Sequence, residues 1–310
     1  MSTAQSNLNL IDLMQRFSTP EAARTYLEGL RWANGVSCAH CGVVGNSAKL
    51  GGASAKRGLY KCRDCRKMFT VCVGTIFEDS KIPLNKWVIA FHLLAASKKG
   101  MSAHQLHRML GISYKSAWHM AHRIRFAMQG GMFTKLDGIV EVDETYVGGK
   151  AKNAHASKPI PKKTAVLALV SRGGKMKART IANVTSKTIS KVLKKHVAKT
   201  AEIFTDSLNV YPRATKGLLG HESVNHDAGE FVRGMVHTNT VESFNAILKR
   251  GIVGVYHHVS ETHLDRYLDE YGFRWNNRNI TDGERATLAL RQSEGKRLTY
   301  RDCLKEVRVA

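Results

Sequence analysis

The sequence predicts a mixed α/β fold, in which helices flank a mixed sheet that follows two small N-terminal modules. Three observations indicate this class. Between residues 139 and 205, three β-type runs and a helical run precede a further β-type run. Two C-x-x-C pairs lie nearer the N-terminus, and helical patterns joined at a glycine follow them. A β-β-β-α-β order gives a meander and then a crossover, which together produce a mixed sheet.

The composition indicates a polyanionic partner. The 310 residues have room for several domains, and 48 Lys and Arg against 25 Asp and Glu give a net charge of +23. Such an excess is typical of nucleic-acid binding, whether by an enzyme or by a structural protein. The chain has no apolar run of 18 residues, and its polar start lacks the pattern of a signal peptide. We therefore expect a cytoplasmic, nucleoid-associated protein with no membrane partner.

The N-terminal region combines two short helices with a cysteine-rich module. Apolar spacing predicts one helix after residue 8, and Thr19-Pro20-Glu21 predicts the start of a second. Two knuckles with 20 residues between them then supply four thiolates, the ligand set of one structural zinc ion. A redox pair is the alternative. His40 is interpreted as a polar surface residue. The predicted zinc ligands are Cys38, Cys41, Cys62 and Cys65.

Helical patterns over residues 84–96, 101–110 and 113–128 follow the ribbon. Gly111 separates the last two, and a serine begins the final one, which is typical of a helix-turn-helix. An ordinary helical hairpin with a solvated face is the alternative. The predicted outward residues of the final helix are Lys115, Ser116, His119, His122 and Arg123, and all but His122 are predicted DNA contacts.

The stretch Ile139 to Gly149, IVEVDETYVGG, is a β-type run that contains three acids in a basic chain. Alternation along a strand puts Glu141, Asp143 and Thr145 on one face, with Val140, Val142 and Tyr146 on the face that packs on a core. For a lone strand, a half-exposed edge with solvated acids is the simpler interpretation.

The following segments complete the sheet. Residues 150–163 are predicted to form a basic loop. Strands over 164–170 and 177–184 extend the meander, a helix covers 186–196, and a fourth strand over 201–205 ends at Asp206. If the crossover returns to the centre of the sheet, Asp206 lies beside the first strand. A helix cap is the alternative role for this acid.

A helix is predicted to begin at Thr240, with Val241, Phe244 and Leu248 on its apolar face. Glu242, Asn245 and Lys249 share another face. Asp206 and Glu242 are separated by 35 residues, and Asp143 and Asp206 by 62.

These residues resemble a known family, the DDE-type insertion-sequence transposases with an N-terminal zinc ribbon. The resemblance covers nearly the whole chain through the two knuckles, VEVDETYVGG, FTDSLNVY, HTNTVESFNAILKRGIVGVYHHVS, RYLDEYGFRWNNR and GKRLTYRDCL. It implies an RNase H-like or integrase-like core with Asp143, Asp206 and Glu242 as catalytic residues and metal ligands. Lys249 matches a basic residue of the family, and Asn239 is an alternative third ligand.

Three carboxylates suit two Mg²⁺ or Mn²⁺ ions, which assist phosphodiester chemistry by in-line displacement. We expect water to free a 3′-OH at the element end, and this hydroxyl to attack target DNA without a covalent protein intermediate. Ser207, Tyr146 and Tyr256 lack the arginine cluster that a covalent nucleophile would need. The expected partners are element ends, target DNA and a second copy of the chain, in a homodimer or larger assembly on DNA.

The sequence divides into five predicted parts and leaves two rival functions. The basic aromatic turn that begins at Arg250 is predicted either to contact DNA or to be structural. The helix over 264–275 is predicted to pack on the sheet. An RNase H-like nuclease or resolvase would cut without joining, and a domesticated zinc-ribbon and helix-turn-helix regulator would bind without either step. The parts are N-terminal helices (1–34), ribbon (35–80), helix-turn-helix region (81–135), catalytic domain (136–280) and helical appendage (281–310).

Overall fold

The computed structural model describes residues 10–52, 58–130, 134–149 and 163–304. The chain forms two compact units. The first contains the described residues up to Gln129 together with Asn279–Leu304, and the second runs from Gly130 to Arg278. The predicted loop over residues 150–163 falls outside the described residues except for Lys163. None of the helices in the described ranges is long and apolar enough to cross a membrane.

The first unit begins with the two predicted helices, α1 (Leu10–Arg16) and α2 (Pro20–Arg31). Thr19 caps α2, since its hydroxyl accepts a hydrogen bond from the backbone N–H of Ala22 at 3.2 Å. A small antiparallel sheet follows, made of β1 (Ser47–Lys49), β2 (Tyr60–Cys62) and β3 (Met68–Phe69). This sheet brings the two cysteine knuckles together.

Three helices follow the ribbon, α3 (Leu84–Ala96), α4 (Ala103–Leu110) and α5 (Tyr114–Met128). Gly111 ends α4 in the left-handed conformation with a φ of 57°, which favours glycine. Ser113 caps α5 through the backbone N–H of Ser116 at 3.2 Å. Two short helices joined at a glycine are therefore present, as predicted.

The C-terminal segment packs into the first unit. Helices α10 (Asp282–Arg291) and α11 (Tyr300–Leu304) lie in this segment. Helix α10 packs against α3, and the hydroxyls of Tyr26 and Thr287 lie 2.9 Å apart. The segment predicted as an appendage therefore contributes to the core of the unit that the N-terminal helices begin.

The second unit is built on a five-stranded mixed sheet. Its strands are β4 (Ile139–Val147), β5 (Thr164–Ser171), β6 (Met176–Ile181), β7 (Glu202–Asp206) and β8 (Gly220–Val224), in the spatial order β6-β5-β4-β7-β8. The first three form an antiparallel meander, whereas β7 pairs parallel with β4 and β8 pairs parallel with β7. The predicted mixed sheet with β7 beside β4 is confirmed.

Helices cover both faces of this sheet. On one face, Val140 and Val142 pack with Ile189 and Leu193 of α6 (Ser186–His196) and with Tyr211 of the short helix α7 (Tyr211–Ala214). On the other face lie α8 (Asn239–Gly251), a π-helical turn over residues 252–256, and α9 (Glu261–Asn276). The sheet is therefore a buried middle layer.

The structure excludes the edge-strand alternative for β4 and corrects the predicted position of Tyr146. The strand is not an edge, because β5 and β7 pair with it on either side. Tyr146 does not pack in the core with Val140 and Val142, since it is 50% exposed near the end of the strand. Glu141 is fully buried instead, which no solvated edge would permit. Strand β8 lacks the apolar run of a buried strand and was absent from the prediction.

Candidate functional site

Two of the predicted acids lie on neighbouring strands, Asp143 in the middle of β4 and Asp206 at the end of β7. In the parallel pairing of β4 with β7, Val140 lies opposite Ile203 and Glu141 lies opposite Phe204. Continuing this register by two residues brings Asp143 level with Asp206. Asp206 also accepts a hydrogen bond from the backbone N–H of Leu208 at 3.2 Å. The sheet thus sets two carboxylates side by side.

Helix α8 brings polar side chains over the same face of β4. Val241, Phe244 and Leu248 anchor it in the core. Asn245 is only 4% exposed, and its Nδ2 donates to Asp143 Oδ2 at 2.8 Å. Its Oδ1 is buried and has no hydrogen-bond partner among the described residues. A buried amide oxygen in this position marks a place that calls for a further donor or a cation.

Glu242 lies on α8 with its side chain 47% exposed. The helix begins one residue after Thr238, rather than at Thr240 as predicted, and the Thr238 hydroxyl donates to Glu242 Oε1 at 2.7 Å. His226 Nε2 lies 3.8 Å from the same oxygen. The negative charge of Glu242 reaches Asp143 and is one of the charges that raise its pKa.

Glu141 holds the N-terminus of α8 against β4. Its carboxylate accepts hydrogen bonds from the backbone N–H groups of Thr240 at 2.7 Å and Val241 at 3.0 Å. The Thr240 hydroxyl donates at 2.9 Å. An anion is favourable there because the first N–H groups of a helix lack partners within it. Alternation along the strand predicts the face on which Glu141 lies, but no local pattern predicts this role.

Arg172 completes the arrangement from the β5–β6 turn. Its Nε donates to Glu141 Oε1 at 2.6 Å, and its other nitrogens donate to the carbonyls of Met235 and His237. These carbonyls belong to the segment that leads into α8. A buried ion pair therefore ties together β4, the β5–β6 turn and the helix that carries Glu242 and Asn245.

The opposite face of β4 carries a further acid, Glu144. The Tyr211 hydroxyl donates a hydrogen bond to its carboxylate. Burial raises the pKa of Glu144, and the charge of Asp206 adds to this effect. The acids around Asp206 therefore extend to both faces of the strand.

The electrostatics of this cluster are unusual for a protein with a net charge of +23. Burial, together with the charges of Glu144, Asp206 and Glu242, raises the pKa of Asp143 to about 7, against the hydrogen bond from Asn245. Within the described ranges, no lysine or arginine forms an ion pair with Asp143, Asp206 or Glu242. The acids thus create negative potential that the described side chains leave largely uncompensated.

The ribbon contains a separate candidate metal centre. The Sγ atoms of Cys38, Cys41, Cys62 and Cys65 lie within 4.8 Å of one another. Among the described residues, this is the one group of at least three Cys, His, Asp or Glu side chains gathered so closely. The three predicted catalytic acids are therefore spread more widely than the thiols. Four thiolates match the ligand set of structural zinc.

Comparisons with known proteins give the family. Residues 135–276 match the family described as ISXO2-like transposase domain, and residues 18–68 match the family described as transposase zinc-ribbon domain. The chain belongs to the insertion-sequence transposases with an N-terminal zinc ribbon. It is also 28% identical over 277 residues to a protein in transposable element ISH50 of Halobacterium salinarum. The aligned region covers 84% of this chain and 92% of the relative.

These matches support two properties of the transposase, zinc binding and DNA binding. The ribbon match, together with the four clustered cysteines, supports a structural zinc ion. The transposase and ribbon domains indicate that the protein binds DNA and support a nucleic-acid-cleaving activity.

Helix α5 of the transposase exposes only part of its predicted DNA-contacting set. Lys115 is exposed, with its Nζ 4.7 Å from the ring centre of Tyr300. Ser116 and His119 are partly buried. The ring of His119 lies edge-on to that of Tyr300, with centroids 5.5 Å apart.

The outward orientation predicted for His122 and Arg123 is wrong. His122 is fully buried and Arg123 is 6% exposed. The Arg123 guanidinium donates to the Glu78 carbonyl and lies over the ring of Trp87. It therefore holds helix α5 against the preceding segment rather than facing a groove. Helices α3, α10 and α11, which pack on α5, bury the side that the pattern left open.

The remaining predicted residues lie on or near α8. Lys249 and Arg250 are both exposed, and Arg250 Nε donates to the Ala246 carbonyl at 3.2 Å. Lys249 lies two turns after Glu242 along the helix. Asn239, the alternative third ligand, is exposed at the first position of α8.

Proposed function

We propose that this transposase binds the ends of its insertion element and catalyses metal-dependent strand cleavage and strand transfer into target DNA. The observation that supports the proposal is that the charges of Asp206 and Glu242 raise the pKa of Asp143, while none of the three acids has a lysine or arginine ion-pair partner within the described ranges. A phosphodiester substrate adds negative charge to this place. Divalent cations are what such a cluster needs to accept DNA.

The donors suit Mg²⁺ or Mn²⁺. Carboxylate oxygens of Asp143, Asp206 and Glu242 would hold two ions, and the orphaned Oδ1 of Asn245 adds a neutral oxygen beside them. Hard cations prefer such oxygen ligands, whereas the thiolates of the ribbon suit zinc. When bound, the ions activate the attacking oxygen and stabilise the leaving oxygen of the phosphodiester.

The chain's own residues orient this site. Asn245 fixes one oxygen of Asp143 and leaves the other free, and Thr238 does the same for Glu242. The pair of Glu141 and Arg172 fixes α8, so that these side chains keep their distance from β4. Preorganised donors of this kind avoid rearrangement during the reaction.

DNA contacts are proposed at two places. The exposed Lys249 and Arg250 lie on the helix that carries Glu242, where cations suit the phosphates that flank the cleaved bond. Lys115, Ser116 and His119 of α5 are proposed to contact the element end. A homodimer or larger assembly on DNA follows from the need to bring two ends together.

Changing Asp143→Asn tests the proposal. Strand cleavage of a labelled duplex that carries the element end should fall by on the order of a hundredfold or more with MgCl₂ present, since a charged group at the reacting centre is lost. Mg²⁺ should raise the melting temperature of the wild type and not that of the variant.

The matched control is Asp137→Asn in the same unit. Asp137 is exposed and accepts hydrogen bonds from Thr200 and from the backbone of Gly138, both of which an asparagine oxygen can keep. Its variant should cleave like the wild type. Full cleavage by the Asp143→Asn variant would refute the metal assignment.

A further inference from the structure

Helix α6 carries a row of lysines that the proposed site does not use. Its sequence, SKTISKVLKKH, contains four lysines and no acid. All four lysines are exposed. We call this set the α6 lysine row, and its members are Lys187, Lys191, Lys194 and Lys195.

Helical geometry places the row on one side. Successive residues turn by about 100°, so positions i, i+4, i+7 and i+8 fall within an arc of about 100°. Ile189 and Leu193 point the other way and are buried against the sheet. The row therefore faces away from the core and spans about 12 Å along the helix axis.

Intramolecular stabilisation does not explain the whole row. Within the described ranges, none of its four lysines forms an ion pair. Lys187 and Lys191, and Lys191 and Lys195, are like charges at i and i+4, which disfavour a helix. Lys187 also lies in the first turn, where a cation opposes the helix dipole and where no acid is present. Lys194 and Lys195 lie in the last turn, where cations favour the helix dipole, so this effect accounts for that end of the row but not for Lys187 and Lys191.

Further positive charge surrounds the end of α6. Lys135 Nζ donates to the Lys194 carbonyl at 2.8 Å. Burial, together with the charges of Lys177, Arg179, Lys195 and Lys135, lowers the pKa of His196 to about 4. Asp265 and Asp269 of α9 face Lys177 and Arg179 and compensate part of this charge on the edge of the sheet. The positive potential therefore extends beyond the row itself.

The row begins at the same end of the sheet as the acids and leads away from them. The Ser186 hydroxyl, at the start of α6, donates to the carbonyl of Val210, four residues after Asp206. The other end of the helix lies at the start of β4, since the backbone N–H of Leu136 donates to the His196 carbonyl. A polyanion bound along the row would therefore extend from the end of the sheet that carries the acids towards its opposite end.

We propose that the α6 lysine row binds the phosphate backbone of duplex DNA without reading its sequence. This surface lies on the opposite face of the sheet from α8. The choice of DNA as the ligand of the α6 lysine row rests on the proposed function. The phosphates of one DNA strand are spaced about 3.4 Å apart along the axis, so about 12 Å of helix matches about four phosphates. Thr188 and Ser190, rather than large apolar residues, flank the row, which disfavours insertion into a membrane.

The experiment compares the full-length wild type with a variant in which all four lysines are glutamine and with one in which all four are arginine. Binding to a random-sequence duplex is measured by fluorescence anisotropy between 50 and 300 mM KCl (about the range over which phosphate contacts are lost). The glutamine variant should lower the slope of log K against log salt by about two to four and weaken binding at low salt at least about tenfold. The arginine variant should keep both.

Circular dichroism and thermal melting check that each variant is folded, and the single variant Lys191→Glu provides a second test if the fourfold change unfolds the protein. An unchanged salt slope in folded variants would overturn the α6 proposal while leaving the proposed function intact. Loss of binding to phosphatidylserine vesicles, with duplex binding unaltered, would overturn it in favour of a membrane. If the wild type binds no duplex at all, both proposals fail.

Discussion

Replacing Glu141 by glutamine is expected to loosen helix α8, which carries Glu242 and Asn245. The Glu141 side chain is fully buried, pairs with Arg172 at 2.6 Å and accepts hydrogen bonds from the first turn of α8. Glutamine keeps one acceptor oxygen. Its NH₂ group must then face either the Arg172 guanidinium or the two backbone N–H groups, and either arrangement opposes donor to donor.

The size of the effect follows from the burial of the pair. Removing one member of a buried ion pair costs about 3–5 kcal/mol. The Arg172 side chain is 17% exposed and keeps its bonds to the Met235 and His237 carbonyls, so we expect the lower end of this range. A loss of about 3 kcal/mol corresponds to more than a hundredfold change in an equilibrium constant.

Hydrogen–deuterium exchange of peptides that cover residues 239–251 measures this opening directly. In the Glu141→Gln variant, the amides of Thr240 and Val241 should exchange on the order of a hundred times faster. Strand cleavage should fall, whereas binding to a random-sequence duplex should not change, because the DNA-contacting lysines are untouched.

The matched control is Glu222→Gln on β8, which removes the same charge from an exposed pair. Glu222 and Arg233 have side chains that are 48% and 54% exposed, at a distance of 3.4 Å. Such a surface pair is worth about 0–1 kcal/mol. If α8 exchanges at the same rate in the wild type and in both variants, Glu141 does not hold the helix and the reasoning is refuted.

Three further predictions test other parts of the transposase. Cys62→Ser should reduce bound zinc from one ion per chain to none by elemental analysis, and retention of zinc would contradict the ribbon assignment. Arg123→Met should lower the melting temperature without changing the salt slope of DNA binding. Lys115→Gln should weaken DNA binding without changing the melting temperature. The reverse pattern would restore Arg123 as a DNA contact. His196 has a pKa lowered to about 4 in the fold, so the stability that its neutral form contributes above pH 6.5 should be lost as the pH falls towards 4. Unfolding of His196→Gln in denaturant should depend less on pH across this window, and an equal dependence would contradict the assignment.

The order of elements was predictable because it depends on local patterns. The β-β-β-α-β order predicted a mixed sheet, with β7 beside β4 on condition that the crossover returns to the sheet centre, and alternation put Glu141 and Asp143 on one face. What covers that face depends on distant residues. Thr240 lies 99 positions from Glu141, and Arg172 lies 31 positions from it, so no local pattern identifies the ion pair.

The errors on α5 and β8 have related causes. Arg123 belongs to a row of polar residues on one side of α5. Helices α10 and α11, which are distant in sequence, cover that side. A helix with partners on several sides loses the two-sided pattern from which an exposed face is predicted. Strand β8 reads Gly-His-Glu-Ser-Val at the edge of the sheet, and only Val224 of the five is fully buried. Its pairing with β7, rather than its composition, defines it as a strand.

Joining of a precut element end to plasmid DNA tests the central claim most directly. The substrate is a labelled duplex that carries the element end with a free 3′-OH, incubated with the purified protein, supercoiled plasmid and MgCl₂. The expected product is labelled plasmid with the element end attached through that 3′-oxygen, and the Asp143→Asn variant should give none. Cutting of DNA without joining would indicate a nuclease, and binding without either step would indicate a regulator. Either of these results would contradict the proposed function.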